Sequence, residues 1–293
     1  MTERLPVVLA LGSALLWGVW WIPVRAIEEA GLEAVWAGFA MNLGGLPGFV
    51  LAALIWHRGR GFTARAAAGA LLAGVAVTTY SAALTYTDVI RVALLFYLAP
   101  VWSKLIEVVF FGERWTWTST LAIALSFAGI ITIFRGEVAL EDWSVGDLMA
   151  VGSGMAWATG AALIFSGPTP NGVHLSLGMC VGAILTCVLL IAVGGPSAGA
   201  WPTAEGVAAA APVALGAGAL YLVPVMVVTL WAATRLPPAT MSFLLTTEII
   251  SGVGSAALLL DERFGAPEVI GAVLVALGAT IEVIAPHRRR PAN

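Results

Sequence analysis

The chain has 293 residues, 60% of them hydrophobic and 11% charged, with a formal net charge of −3. A soluble domain has about a quarter of its residues charged, so too little polar surface exists here to cover a water-exposed globule. The composition excludes a soluble protein and points to an integral membrane protein, and nucleic acid is not expected among its partners.

A spanning helix needs roughly 20 mostly apolar residues. Ten such segments follow in chain order: 5–26, 33–56, 65–86, 89–111, 116–135, 146–166, 173–195, 206–233, 237–260 and 264–285. The opening stretch "MTERLPVVLALGSALLWGVWWIPVR" is read as the first span rather than a leader, because its apolar run is long enough to cross and lacks a convincing cleavage site. The second span contains "NLGGLPG" with Pro47, the fourth contains Pro100, and the eighth contains Pro224 in "YLVPV". Such breakers bend helices or free backbone carbonyls toward a cavity, which makes Pro47, Pro100 and Pro224 gating candidates. Close packing through small residues is the other use of these glycine-rich stretches. Between spans, "HRGRGF", "TYTD", "GPTPNG", "GGPS" and "RLPP" supply turns. Residues 137–145 form an amphipathic linker with Trp143 at the interface, separating a first half (1–136) from a second (146–293).

Charge orients the spans. With both termini cytoplasmic, nine arginines fall inside (Arg4, Arg58, Arg60, Arg65, Arg114, Arg235, Arg288, Arg289, Arg290) and four outside (Arg25, Arg91, Arg135, Arg263). That is the expected positive-inside bias. The acids fall mostly outside, Asp88 and Asp147 among them. Cys180 and Cys187 lie seven residues apart on one helix face, roughly 10 Å at about 1.5 Å per residue, too far for a disulfide.

The chain repeats itself. "GSALLW" (12–17) aligns with "GSGMAW" (152–157), and "FFGERWTWTSTLAIALSFAG" (110–129) aligns with "LLDERFGAPEVIGAVLVALG" (259–278). Five spans per repeat is an odd number, so the second copy runs through the membrane inverted. Inverted repeats are common in secondary transporters, with the substrate near the bilayer midplane between the halves.

These halves, the tryptophan in the first helix of each, "YLAP…FFGER" and "LTTEIISGVGSAALLLDER" resemble the EamA-type members of the drug/metabolite transporter superfamily. Within it, "Y-L-x-P" and the chain's size look most like the YddG-type aromatic amino-acid exporters. The resemblance covers essentially the whole chain. It implies an all-α polytopic membrane protein of ten helices around a central cavity, in a bacterial inner membrane, exporting aromatic amino acids by alternating access. One departure is Glu248 in "LTTEII", near where a partner of Pro100 would stand.

Lys104, Glu107, Glu248 and Glu282 are the ionisable residues well inside the spans. Intramembrane charge is expensive and marks function by default. Lys104 either pairs with Glu107 one turn on or faces the cavity. Glu248, flanked by Thr246, either anchors a substrate ammonium, carries a coupling proton, or is a protonated core residue. Lys104 and Glu248 together would suit a zwitterionic amino acid. Trp17, Tyr80, Tyr97, Trp102, Trp157 and Tyr221 lie deep in their spans and would supply aromatic walls. The three histidines fall in loops and no Walker sequence occurs, so no catalytic residue, metal or cofactor is expected. The expected partners are a small-molecule amino acid and the lipid bilayer, with proton coupling open and a monomer sufficient. The alternatives are a broad-specificity drug or metabolite exporter and, outside transport, a membrane scaffold protein.

Overall fold

The structure is a computed structural model that describes residues 4–56, 62–112, 115–133, 143–165, 171–194, 198–233, 235, 244–245, 247–259 and 265–284. Every regular element among them is helical: α1 (Arg4–Gly18), α2 (Trp21–Glu29), α3 (Val35–Ile55), α4 (Ala64–Ala83), α5 (Val89–Phe96), α6 (Ala99–Phe111), α7 (Trp117–Ile133), α8 (Val145–Phe165), α9 (Gly172–Gly194), α10 (Ala204–Gly216), a π-helical turn (Ala217–Leu222), α11 (Val223–Ala233), α12 (Glu248–Leu259) and α13 (Ala266–Ile284).

Among the described residues seven stretches are long and apolar enough to cross a membrane: Leu5–Glu29, Val35–Ile55, Ala64–Ala83, Arg91–Phe110, Val145–Ile164, Gly172–Gly194 and Ala204–Ala232. Trp117–Gly129 and Ala266–Gly278 are shorter apolar helices. These fall on nine of the expected spans. The remaining one, 237–260, is described only from residue 244 and without residue 246, and most of the 137–145 linker lies outside the described residues.

Several spans expected as single helices are interrupted. The first breaks at Val19–Trp20, four residues before Pro23, and the fourth at Tyr97–Leu98, just before Pro100. A proline lacks the N–H for the bond to residue i−4, and its ring collides with that carbonyl. Pro224 likewise stands two residues past the π-helical turn in the eighth span. The ninth turns at Thr247, whose N–H reaches the Leu244 carbonyl at 3.2 Å, before α12 starts at Glu248. Pro47 behaves differently: α3 runs unbroken through it.

The helices pack in a defined set of pairs. α4 lies against α8 and α9, α3 against α9, α10 and the π-turn, and α7 against α13. α1 packs on α11 and α12, α8 on α5 and α6, and α5 on α12. At the crossing of α3 with the π-turn, Gly44 meets the backbone of Ala214, and Gly218 meets that of Gly44 and Gly45. No side chain fits between them. Trp20, Ile27, Met41, Phe49, Leu94, Leu95 and Met226 fill the interior. The outside is apolar as well: Leu54 is 68%, Leu220 82% and Leu258 83% exposed. A chain that is apolar both inside and out matches a lipid environment rather than water.

One end is tied by polar contacts. Ser144 and Asp147 cap the start of α8 reciprocally, Ser144 N–H donating to Asp147 Oδ2 at 2.9 Å and Asp147 N–H to Ser144 Oγ at 3.1 Å. Arg91 of α5 reaches the same buried carboxylate at 2.9 Å. Close by in sequence, Thr87 donates to Asp147 Oδ1 at 3.4 Å.

Candidate functional site

The break in the first span carries three tryptophans, and each indole N–H finds a hydroxyl on a different element. Trp17 donates to Thr229 Oγ1 of α11 at 2.9 Å, Trp20 to Ser81 Oγ of α4 at 2.6 Å, and Trp21 to Ser255 Oγ of α12 at 3.0 Å. Trp17 and Trp20 stack with ring centroids 5.0 Å apart, and Tyr221 leans on Trp20 at 6.0 Å. The Tyr221 hydroxyl donates to the Leu16 carbonyl, near where α1 approaches its end.

A second aromatic group gathers around Phe96. Phe96, the last residue of α5, has Tyr80 at 5.3 Å, Tyr97 at 6.0 Å and Trp157 of α8 at 6.4 Å, all edge-on. Gly154 makes the approach possible, since a side chain there would strike the Phe96 carbonyl.

Glu248 lies between these groups. As the first residue of α12 it sits at a helix N-terminus, where the free N–H groups and the dipole favour a negative charge. The Tyr97 hydroxyl hydrogen-bonds its carboxylate. Tyr80 and Tyr221 are within electrostatic reach of it. The same Tyr97 hydroxyl reaches the Leu245 carbonyl at 3.4 Å, so the turn of the fourth span touches that of the ninth. Gly18 of α1 closes the group, lying directly on Ser251 and the Glu248 backbone.

The structure therefore brings Trp17, Tyr80, Tyr97, Tyr221 and Glu248 into one region, with Trp157 joined to it through Phe96. Thr246 lies outside the described residues. Lys104 is buried in α6, 5% exposed. The side chains of Glu107 and Glu282 lie outside what the structure describes, as does that of Pro100. Trp102 goes elsewhere. It lines a groove of about 290 Å³ with Leu105, Ile106, Val109, Phe110, Met155 and Thr159, whose rim is open, Val109 being 70% exposed. Its indole N–H is buried with no hydrogen-bond partner. Cys180 and Cys187 are buried and free.

Reading the sequence missed the hydroxyl partners Ser81, Thr229 and Ser255, together with Trp20 as the ring between Trp17 and Tyr221. It also put Arg91 and Asp147 on the outer side without pairing them. Among the described residues no group of three or more histidines, cysteines or carboxylates is arranged to hold a metal.

Residues 4–135 match the EamA-like transporter family. That match covers the first half of the chain, with α1 to α7. That similarity to the EamA-like transporter family agrees with a chain built of many apolar helices. No curated protein sequence matches the chain. A solved crystal structure, described only as that of a protein, is similar over 96% of this chain and 99% of its own, with a TM-score of 0.57 and 16% identity. That likeness shows a shared fold.

Proposed function

We propose that the chain is a secondary transporter exporting amino acids, aromatic and other hydrophobic ones foremost, across a bacterial inner membrane. The observation that carries this reading is the carboxylate of Glu248, set among the tyrosines 80, 97 and 221, with the stacked Trp17 and Trp20 against Tyr221. A carboxylate attracts a substrate ammonium, and the ring faces suit both that cation and an aromatic side chain.

The transport mechanism is alternating access by two inverted five-helix halves. The helix pairing supports it. Exchanging each span for the one five places on turns the α1–α12 contact into α8 with α5 and α6. It turns α1–α11 into α8–α4, and α3 with the π-turn into α9–α4, while α3–α9, α7–α13 and α5–α12 map onto themselves. The offset that carries Gly129 onto Gly278 also carries Ala99, the first residue of α6, onto Glu248, the first residue of α12. Rocking of one half against the other about these central contacts would open the site to each side in turn.

The experiment is flux of L-tryptophan, L-phenylalanine and L-methionine in liposomes, with and without a pH gradient. Glu248→Gln should lower flux at least about tenfold while leaving the protein folded, since it removes a charge and keeps the shape. The same carboxylate in an aromatic wall would also serve a cationic drug or metabolite. Flux unaffected by Lys104→Ala would favour that broader exporter, because an amino-acid carboxylate needs a cation and such a compound does not.

A further inference from the structure

Tyr97 carries one hydroxyl proton and stands before two acceptors that belong to the other half of the chain, the Leu245 carbonyl at 3.4 Å and the Glu248 carboxylate. These acceptors lie on opposite sides of the turn at Thr247. Tyr97 itself occupies the turn between α5 and α6. Tyr97 is buried, 7% exposed, where leaving a hydroxyl unpaired is costly. One proton cannot serve both acceptors fully, so the stronger acceptor takes it.

We propose that Tyr97 is a positioning residue that reports the charge on Glu248 to the turn of the ninth span. When the carboxylate is ionised and empty, it is the stronger acceptor and holds the hydroxyl, because a charge-assisted bond is about twice as strong as a neutral one. When a proton or an ammonium cancels that charge, the hydroxyl passes to the Leu245 carbonyl and ties the two turns together. Occupancy of the site is thereby converted into a link between the two halves. Other groups that face Glu248 modulate the exchange without replacing it: Tyr80 from α4 and Tyr221 from the π-turn. α1 brings Gly18 there, and α12 itself adds Ser251, whose hydroxyl is already given to the Glu248 carbonyl at 3.0 Å. α6 carries Lys104, buried beyond its first turn, and the charge on α5 is Arg91, engaged with Asp147. The role of the ammonium rests on the transport reading above; the exchange itself does not.

Two measurements separate these parts. In the full chain in liposomes with no solute, an infrared difference spectrum between high and low pH should show a protonated-carboxyl band that disappears in Glu248→Gln. It should be accompanied by a tyrosine C–O change that disappears in Tyr97→Phe. A Glu248 band without a Tyr97 change overturns the proposal. In flux assays with L-tryptophan, Tyr97→Phe should lower turnover about tenfold, leave KM within about threefold, and move the pH profile. Fluorotyrosine at position 97, which keeps the donor, should restore turnover. A Tyr97→Phe variant that loses affinity as Glu248→Gln does would make Tyr97 a substrate contact and overturn the relay. If the infrared result holds while no amino acid is carried, the relay stands and the substrate assignment falls.

Discussion

Glu248 and Asp147 are two buried or half-buried carboxylates with opposite surroundings, and the contrast separates a working group from a structural one. Asp147 accepts from a guanidinium, a hydroxyl and a backbone N–H, so its oxygens are satisfied. Glu248 has a phenol and a helix N-terminus. Asp147→Ala should therefore act on stability, about 1–3 kcal/mol, at the lower side for a buried pair because the Arg91 side chain is 30% exposed. The check is thermal unfolding in detergent, with flux per folded molecule unchanged. Glu248→Gln should do the reverse. Glu248 was legible in the sequence because an acid within an apolar run is conspicuous, and Tyr80, Tyr97 and Tyr221 because they lie deep in their spans. The bond from Trp21 to Ser255 was not, since it joins residues 234 apart and nothing local distinguishes that serine from others facing lipid or core.

At the scale of the element, the interruptions position the site. The break before Pro100 follows from proline chemistry, and Pro23 carried the same signal within the first span, where it was read as part of a continuous helix. The turn at Thr247 has no proline behind it; a run of β-branched residues with the Thr247 hydroxyl bonded to the Leu244 carbonyl at 2.7 Å marks it only after the fact. Pro47 shows the limit of the inference, since α3 carries it without a break. Glycines sort in the same way. A methyl group at Gly18 would fall on Ser251 and the Glu248 carbonyl, whereas Gly12 and Gly152 have no atom within 4 Å of the added carbon. Gly18→Ala should force α1 off α12 and cut transport along with stability. Gly12→Ala and Gly152→Ala should stay within about 0.5 kcal/mol of the parent, as changes at open positions do. Comparative unfolding and flux of the three variants checks this.

For the whole molecule, the proposed repeat draws on two short sequence patches and on which helices touch. Sequence similarity could locate Trp17 with Trp157 and Gly129 with Gly278, but it could not show that α7 would lie on α13 or that the fourth and ninth spans would meet at their turns. Those contacts depend on packing between residues far apart in the chain. They bring Glu248, the tyrosines 80, 97 and 221 and the stacked Trp17 and Trp20 into one region, and the transport proposal depends on it. Its most direct test is uptake of L-tryptophan into liposomes carrying the purified protein, beside Glu248→Gln. The account predicts flux by the parent that saturates with L-tryptophan and falls at least about tenfold in the variant. Equal flux from both would contradict it.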